Sequence, residues 1–582
     1  MDVASEIGDP VSSCHFGGGC TPLIPLPRTL PFFSKTQHWK RRRLSSVWTQ
    51  RLDRVGVLGS DHHGHTGCVN ALSWAQNGEL LISSGDDQDI RVWRMDRSSD
   101  PTYEYPFACQ SVMHTGHTEN VFNAQMLPSS TRIATVAGDS QVRVFDVGEA
   151  IGRSPTGNEM SYNTREACIR VFRCHSRRSK RIITEDSPDK FLTVAEDGEV
   201  RQHDLRTSHS CTGGACPAPL VRLPHELSTI ALSPLAPYEF VVGGESPFAH
   251  LFDRRHAGRY LREEWGIPPA VDDATTCVRR FSRRSRSRGE VKGYEHITGA
   301  RMSAWNGHEV LLSYSAGAVY LYSTRDEPGT SGVVRSSSIL PPHAKRWKRD
   351  TVPCASSSAD VNADIAIEDE SGDVILDHSR PLGRDIDSDE AMDDDFDDSN
   401  SDESAHDDEE SEVDRPDKEV YKDAPVVYPR LRFSGHCNVK TVKDVNFLGP
   451  CDEFVTSGSD DGNFFVWKKS SGELVDVLEG DGSVVNVIEG HPNLPLLAVS
   501  GIDTTVKLFA PARGPAAFSK HSNAASIIKR NARASRRGTV NVEMQLAHFV
   551  LHYDRALQML RNGEGEDSRS EQGVRLAQCV NQ

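Results

Sequence analysis

Short apolar runs, separated by turn residues, recur along most of the chain. In the first clear copy, His65 precedes the run VNALSW, a Gly turn, the run LLISSGDD and the run IRVW, which ends at Trp93. A second copy begins at Gly116 and His117 and ends at Asp146 after the run VRVFD. Runs of β-branched and apolar residues between Gly, Asp, Asn or Ser are typical of β-strands joined by tight turns. Each copy therefore predicts a small unit of successive strands.

Five weaker copies repeat this order of strands and turns. They run from Cys174 to Arg206, from His225 to Arg255, from His296 to Tyr322, from Gly435 to Trp467, and from Ser483 to Phe509. A dipeptide close to GH at the start and WD or FD at the end resembles the blade signature of WD40 proteins. The seven copies predict an all-β fold, a seven-bladed WD40 β-propeller.

One apolar segment stands before the first copy. Residues 51–58, RLDRVGVL, alternate loosely between apolar and polar positions, whereas the seventh copy ends without an outer strand. A ring that is not closed exposes strand edges. We therefore predict that residues 51–58 pair with the last blade and close the propeller.

The same four polar positions recur in two of the copies. They are His65, Ser83, Asp87 and Trp93 in the first blade and His436, Ser457, Asp461 and Trp467 in the sixth. Buried polar groups need partners, and these side chains can satisfy one another in a chain of hydrogen bonds. The same residue types also occur in catalytic relays, but recurrence at matching spacing favours a structural tetrad.

Charge divides the chain into regions. The net charge is −17 over 582 residues, and residues 385–414 hold 17 Asp or Glu and no Lys or Arg. The rest of the chain is balanced. A strongly acidic segment with few apolar residues cannot offset the entropy cost of ordering. We therefore predict a disordered acidic insertion at 326–424.

The remaining boundaries follow from the repeats. We predict an N-terminal tail at 1–43, blades 1–5 with the preceding helix and closing strand at 44–325, blades 6 and 7 at 425–511, and a basic tail at 512–582. The tail contains an amphipathic segment whose apolar residues are spaced by three and four, which predicts a helix at 540–561. Its apolar face consists of Leu546, Phe549, Val550, Tyr553, Leu557 and Leu560.

The thirteen cysteines are scattered, and no CxxC pair occurs. Cys211 and Cys216 come nearest to a metal-binding pattern, but no second pair of ligands follows them in sequence. This spacing favours a loop with two free thiols over zinc, and we predict no metal and no cofactor. Unpaired cysteines favour a reducing compartment.

No targeting or membrane segment is evident. The chain begins MDVASEIGDP, without the apolar stretch of a secretory signal. No apolar run reaches the roughly 18 residues that span a bilayer. We therefore expect a soluble protein of the nucleus, the cytoplasm or both, without a membrane partner.

Three blade segments carry a more specific likeness. GHTGCVNALSW at 64–74, HITGARMSAWNGHE at 296–309 and SGSDDGNFFVW at 457–467 resemble the WD40 substrate receptors of cullin-4 RING ubiquitin ligases, the cullin-4-associated factors. An acidic linker between the fifth and sixth blades is also similar to that group. The resemblance implies a non-catalytic receptor. One side would bind the damaged-DNA-binding adaptor subunit of the ligase, and another would present an unidentified substrate protein.

The same resemblance nominates docking residues. The family docks through blades that end W-D-x-R, and two blade ends here keep the Asp and the Arg but replace the Trp: Asp204 with Arg206, and Asp253 with Arg255. The fork of donors on Arg suits carboxylates or carbonyls of a partner. The alternative is an Asp–Arg pair within the blade that orders a turn.

The family also docks through a helix ahead of the first blade. Residues 44–52 can form such a helix, and its apolar side would present Leu44, Val47, Trp48 and Leu52. The alternative is an extension of the closing strand or a loosely packed cap. Val47, Trp48 and Leu52 are the residues that the resemblance assigns to docking.

Two other classes of function remain. Basic stretches at 40–43, 279–288, 345–349 and 529–537 also fit a nuclear chromatin- or RNA-associated WD40 scaffold that contacts nucleic acid or carries targeting signals. An enzyme would need a P-loop, a GxGxxG after a strand, HExxH or GxSxG, and none stands in a suitable context. The HFGGGC run at 15–20 lacks the strand and helix of a phosphate loop.

Overall fold

The computed structural model describes residues 43–60, 64–96, 104–149, 160–207, 209, 211, 216–256, 275–284, 295–329, 335–336, 421–512, 514 and 516–535. The strands in these ranges form seven sheets of four or five strands each. The prediction of a seven-bladed propeller is confirmed.

The first three blades follow chain order. Blade 1 contains β2 (Val69–Ala75), β3 (Leu80–Gly85), β4 (Asp89–Met95), β5 (Phe107–His114) and β9 (Met160–Tyr162). Blade 2 contains β6 (Val121–Met126), β7 (Arg132–Ala137), β8 (Val142–Asp146) and β10 (Cys168–Phe172). Blade 3 contains β11 (Ser179–Thr184), β12 (Lys190–Ala195), β13 (Glu199–Asp204) and β14 (Val221–Arg222).

The next blades border the insertion. Blade 4 contains β15 (Leu227–Leu232), β16 (Glu239–Gly244), β17 (Ala249–Asp253), β18 (Cys277–Phe281) and β23 (Val426–Val427). Blade 5 contains β19 (Ile297–Met302), β20 (Glu309–Tyr314), β21 (Val319–Ser323), β22 (Arg335–Ser336) and β24 (Leu431–Phe433). Blade 6 contains β25 (Val445–Leu448), β26 (Phe454–Gly458), β27 (Asn463–Lys468) and β28 (Leu474–Glu479).

Blade 7 closes the ring. It contains β29 (Val485–Gly490), β30 (Leu497–Gly501), β31 (Val506–Pro511) and, from the other end of the propeller sequence, β1 (Leu52–Leu58). Strand β1 is antiparallel to β31, with Leu52 opposite Pro511 and Leu58 opposite Val506. The prediction that residues 51–58 pair with the last blade is confirmed.

The core lies between adjacent blades, so a central strand is covered on both faces. In β27, Phe464 packs in the cluster shared with blade 7, whereas Phe465 and Trp467 pack in the cluster shared with blade 5. Successive side chains of a strand point to opposite faces, which sorts neighbouring residues into different clusters. This explains why a blade strand reads as a continuous apolar run in the sequence.

The ends of the insertion correct one predicted boundary. Tyr421 packs edge-on against Phe252 with ring centroids 5.7 Å apart, and β23 runs parallel to β18. Residues 421–424, which the sequence places in the acidic insertion, therefore belong to blade 4. Most of the predicted disordered segment, 330–334 and 337–420, lies outside the described residues.

Helices are few in the described ranges. They are α1 (43–48), α2 (Thr164–Ala167) and α3 (524–535), with two further helical residues at 148–149 and 3-10 turns at Gln76–Gly78, Arg254–His256 and His521–Asn523. Helix α3 lies in the predicted basic tail and buries Ala524, Ile527 and Asn531. The predicted helix at 540–561 falls outside the described residues. No described helix combines the length and the apolar character of a membrane span.

Candidate docking surfaces

The four polar residues of blade 1 are joined by hydrogen bonds. Nδ1 of His65 lies 2.9 Å from Asp87 Oδ2, and Nε2 of His65 lies 2.7 Å from Ser83 Oγ. Trp93 donates its indole N–H to the same hydroxyl at 2.9 Å. The loop before β2, the strands β3 and β4 and the turn between them are thus tied together. The arrangement is internal to one blade, which identifies it as a structural element.

The second predicted tetrad, in blade 6, is not formed. Neither ring nitrogen of His436 has a hydrogen-bond partner in the described part of the chain. Ser457 donates to the carbonyl of Asp444 at 3.2 Å, and Trp467 donates to the carbonyl of Ser434 at 3.3 Å. The prediction for His436, Ser457, Asp461 and Trp467 is therefore wrong.

Helix α3 contacts the same part of blade 6. Arg530 of α3 lies 3.6 Å from Asp461, and the amide of Asn531 donates to the carbonyl of Gly435 at 3.0 Å. The neighbouring carboxylate, Asp460, accepts backbone N–H groups at 2.6 and 2.9 Å and pairs at 2.6 Å with the fully buried Lys443. The polar side chains of blade 6 therefore have different partners from those of the blade 1 tetrad. Burial lowers the pKa of His436 to about 4.

Sequence reasoning missed two related networks. In blade 2, His117 bonds Asp139 at 3.0 Å and Thr135 at 2.9 Å. The GH dipeptide at 116–117 and the turn Asp at 139 were the available signal, but this blade ends in Phe145 instead of Trp. A tetrad search that requires Trp overlooks it.

Blade 3 completes the network with a histidine. His175 bonds Asp197 at 3.0 Å and Thr193 at 2.8 Å, and Thr193 also contacts Nε2 of His203 at 2.8 Å. His203 stands ten residues after Thr193, the spacing of Trp93 after Ser83, so a ring nitrogen still meets the hydroxyl. Burial lowers the pKa of His203 well below its ordinary value.

The two predicted D-x-R blade ends have the same geometry. Arg206 donates Nε and Nη2 to the two oxygens of Asp204 at 3.0 and 2.7 Å, and Arg255 does the same to Asp253 at 3.1 and 2.7 Å. The guanidinium of Arg255 also stacks on Tyr238, 3.5 Å from its ring centroid. The intrablade pair weighed as an alternative is therefore present.

The pairing leaves both arginines accessible. The side chains of Arg206 and Arg255 are 61% and 59% exposed. A carboxylate uses two of the five guanidinium N–H groups, and the others remain open to a partner. Because Arg206 follows β13 and Arg255 follows β17, the equivalent strands of adjacent blades, both lie on one face of the propeller. Each Asp–Arg pair thus fixes the orientation of an exposed guanidinium group.

The segment before the first blade is placed differently from the prediction. Trp48 and Leu52 are 7% and 6% exposed and join the cluster that contains Phe454 and Phe509. Val47 is half-buried. Two of the three apolar residues proposed for docking therefore already pack on blades 6 and 7, as the alternative of a packed cap predicts.

A cavity of about 310 Å³ opens near the axis. It is lined by the segments that lead into β11, β15, β19 and β25, and its charged lining consists of Arg177, Arg178, Lys180, Lys440, Glu196, Glu226 and Glu245. Glu196 follows β12, at the end of β13 away from Arg206. Six residues at about 3.3 Å each separate the two ends of β13 by roughly 20 Å. The cavity and the arginine pair therefore occupy opposite faces.

Ion pairs also join blades that are not neighbours. Arg181 of blade 3 pairs with Asp444, which precedes β25 of blade 6, and Arg301 of blade 5 pairs with Glu489 of blade 7 at 2.7 Å. These contacts connect the inner strands of blades on different sides of the ring.

The predicted basic loop at 279–288 is in part a buried strand. Arg280 lies in β18, is 5% exposed, and donates to the carbonyls of Ala424 and Lys422 at 3.0 and 2.8 Å. Arg283 is 9% exposed and stacks 4.1 Å from the ring centroid of Tyr314. Carbonyls and aromatic rings compensate these charges, which removes both residues from a nucleic-acid surface.

Cys211 and Cys216 do not form the isolated thiol loop predicted from the sequence. Cys174 and His209 join them, and the four ligand atoms lie within 4.8 Å of one another. The sequence distance between Cys174 and the other three residues concealed this cluster.

Comparison with known sequences agrees with the geometry. The family described as WD domain, G-beta repeat matches residues 56–94, 108–146 and 428–468. The propeller contains WD40 repeats. The matches fall on blades 1, 2 and 6, the copies with the clearest spacing between the GH-like start and the end of the third strand. WD40 propellers generally act as scaffolds for other proteins.

Three relatives extend this comparison. WD repeat protein iqw1 of Schizosaccharomyces pombe is 31% identical over 50% of this chain and 35% of its own length. Protein ALTERED SEED GERMINATION 2 of Arabidopsis thaliana is 25% identical over 81% of this chain and 88% of its own length. Human DDB1- and CUL4-associated factor 6 is 27% identical over 45% of this chain and 27% of its own length. The chain thus aligns with only about a third of the yeast protein.

Proposed function

We propose that this WD40 propeller is a substrate receptor of a cullin-4 RING ubiquitin ligase. One face binds the damaged-DNA-binding adaptor subunit through Arg206 and Arg255, and the opposite face binds the substrate protein. The observation that carries the proposal is the pair of exposed, carboxylate-oriented arginines at the ends of adjacent blades.

The arginines suit a docking role on physical grounds. Each guanidinium is held by two hydrogen bonds to its own Asp, so little side-chain entropy is lost when a partner binds. Arg is enriched among the few residues that carry most of the binding energy at interfaces. The stacking of Arg255 on Tyr238 adds a flat aromatic surface beside the donor.

The comparison supports the same partner. The name of the human relative associates that protein with DDB1 and CUL4, and its alignment covers 45% of this chain and 27% of the relative.

The cavity face is suited to a substrate. Arg177 pairs with Glu226, and Lys180 pairs with Glu196 at 3.0 Å, whereas Lys440 projects its exposed side chain at the rim. A mouth with both charge signs favours a polar segment of a protein over an apolar one. The length of β13 places this face roughly 20 Å from Arg206 and Arg255. The adaptor and the substrate protein can therefore bind at the same time.

The direct test measures binding of purified protein to purified adaptor. The double variant Arg206→Ala/Arg255→Ala should weaken binding roughly tenfold or more, since an interface anchor typically contributes more than about 1 kcal/mol. Arg222→Ala is the matched control. Arg222 also forms an exposed pair within blade 3, with Glu199 at 2.6 Å, but at the other end of β13.

The control separates the alternatives. Equal loss of binding with Arg222→Ala would place the contact elsewhere on the propeller. Absence of binding by the wild-type protein at micromolar concentration would overturn the receptor proposal. The chromatin- or RNA-associated scaffold would then be the better hypothesis, and affinity purification would recover nucleic-acid machinery without the adaptor.

A further inference from the structure

Three thiols and one imidazole converge at the outer edge of blade 3. Cys174 lies in the connection between β10 and β11, whereas His209, Cys211 and Cys216 lie in the connection between β13 and β14. Nε2 of His209 is 3.1 Å from the sulfur of Cys174 and 3.4 Å from that of Cys211. The sulfurs of Cys174 and Cys211 are 3.7 Å apart.

These separations match the edges of a tetrahedron. Zinc bonds of about 2.3 Å to sulfur and about 2.0–2.1 Å to nitrogen place two sulfurs about 3.8 Å apart, and a sulfur and a nitrogen about 3.5 Å apart. All four ligand atoms of the cluster fall within 4.8 Å of one another. The set therefore needs only small shifts to surround one ion.

The surroundings hold the ligands in place. The ring of His209 stacks on Phe172 with centroids 5.6 Å apart and an interplanar angle of 21°. The backbone N–H of Arg173 points at the sulfur of Cys211 at 3.3 Å. Hydrogen bonds to ligand sulfurs and fixed imidazole planes are the supporting contacts that protein metal sites use.

The cluster also lies where blade 3 is weakest. The outer strand β14 has two residues, whereas the outer strands β5 of blade 1 and β28 of blade 6 have eight and six. The connection between β13 and β14 is therefore followed by only two residues of strand pairing. A metal bound to Cys174 and to that connection would replace the missing strand pairs with coordinate bonds.

We propose that Cys174, His209, Cys211 and Cys216 form a structural zinc site that fastens the connection between β13 and β14 to the outer edge of blade 3. One Zn²⁺ binds three thiolates and Nε2 of the neutral imidazole, and three protons leave the thiols. The closed set of four protein ligands and the thiolate-rich composition favour zinc over harder ions and a structural site over a catalytic one. This proposal does not rest on the receptor function.

The test uses the full-length protein purified under reducing conditions without a metal-affinity tag. Elemental analysis should find about one zinc ion per chain. Cys211→Ser should reduce the zinc content to background, and Cys216→His should retain it. Cys109→Ser is the matched control, because this half-buried thiol lies in blade 1, away from the cluster, and contacts the carbonyl of Ser111. Cobalt substitution should give the visible bands of a tetrahedral cobalt thiolate in the wild type and not in Cys211→Ser.

Two results would overturn the proposal. One is reduced wild-type protein that holds no zinc and gives no cobalt bands. The other is zinc that stays in Cys211→Ser, which would place the ion elsewhere in the chain. A Cys174–Cys211 disulfide found by mass spectrometry in metal-free protein would identify the cluster as a thiol pair instead.

Discussion

The tetrad of blade 1 makes a quantitative prediction about Asp87. Its carboxylate is 5% exposed and accepts hydrogen bonds from His65 Nδ1 at 2.9 Å and from the backbone N–H of Thr66 at 3.2 Å. The N–H of Asp89 adds a weaker contact at 3.3 Å. Asp87→Ala removes the acceptor from all three donors. Asp461→Ala, at the equivalent position of blade 6, is the control.

The magnitudes differ because the environments differ. A buried donor left without a partner costs about 1–3 kcal/mol. His65 loses a buried partner in Asp87→Ala, whereas the exposed N–H of Thr66 can bond water, so we expect a loss of about 1–3 kcal/mol in the free energy of unfolding. Asp461 accepts one long contact from Asn463 at 3.3 Å and faces the mostly exposed Arg530. Its removal should cost less than about 1 kcal/mol.

Thermal unfolding followed by circular dichroism measures both variants. With an unfolding entropy of about 2.1 cal/mol/K per residue, a propeller of about 370 residues shifts its melting temperature by only about 1 °C per kcal/mol, so Asp87→Ala should melt about 1–4 °C lower than wild type. Asp461→Ala should stay close to wild type. If Asp461→Ala is as destabilising as Asp87→Ala, the sixth blade contains a working tetrad and the reasoning from the observed contacts fails.

Two further predictions concern buried side chains. Burial lowers the pKa of His436 to about 4 in the folded protein, whereas a histidine of the unfolded chain has a pKa near 6.5. Between these two pH values the unfolded chain binds more protons than the folded protein. The contribution of neutral His436 to the free energy of unfolding is therefore fully present above about pH 6.5 and is lost as the pH falls towards 4. His436→Gln should flatten the fall in melting temperature over this window, whereas the exposed His521→Gln should not. Trp48→Ala should cost about 3–5 kcal/mol because its ring is 7% exposed in the core, with the exposed Thr49→Ala as control. A Trp48→Ala protein of unchanged melting temperature and weaker adaptor binding would restore Trp48 as a docking anchor.

Repetition made the propeller predictable. Each blade repeats the same order of strands and turns. His65, Asp87 and Trp93 identify one blade clearly, and the weaker copies are then recognised by the same order. The closing strand was predictable because the seventh copy lacks an outer strand and a closed ring needs one. The apolar run Leu52–Leu58, just before the first copy, can supply that strand. These inferences depend on spacing within about forty residues, the length of one blade.

What the sequence did not reveal depends on contacts between distant segments. Asp461 has the sequence spacing of a tetrad residue, but Arg530 of α3, from a segment beyond the seventh blade, lies 3.6 Å from it. His203 replaces the expected Trp because the network needs only a ring nitrogen next to Thr193. The thiol and imidazole cluster was missed because Cys174 precedes its partners by a whole blade.

The shared seventh blade has a consequence for how the protein is made. Leu52 is synthesised early, yet its partner Pro511 is added 459 residues later. At about 5–20 residues per second, the ribosome takes roughly half a minute to a minute and a half to reach that point. During this interval β1 has no strand to pair with and Trp48 has no blade to pack on, so the nascent chain carries an unpaired apolar segment that chaperones can bind. A chain truncated before β31 therefore cannot close the ring and leaves β1 without its partner strand.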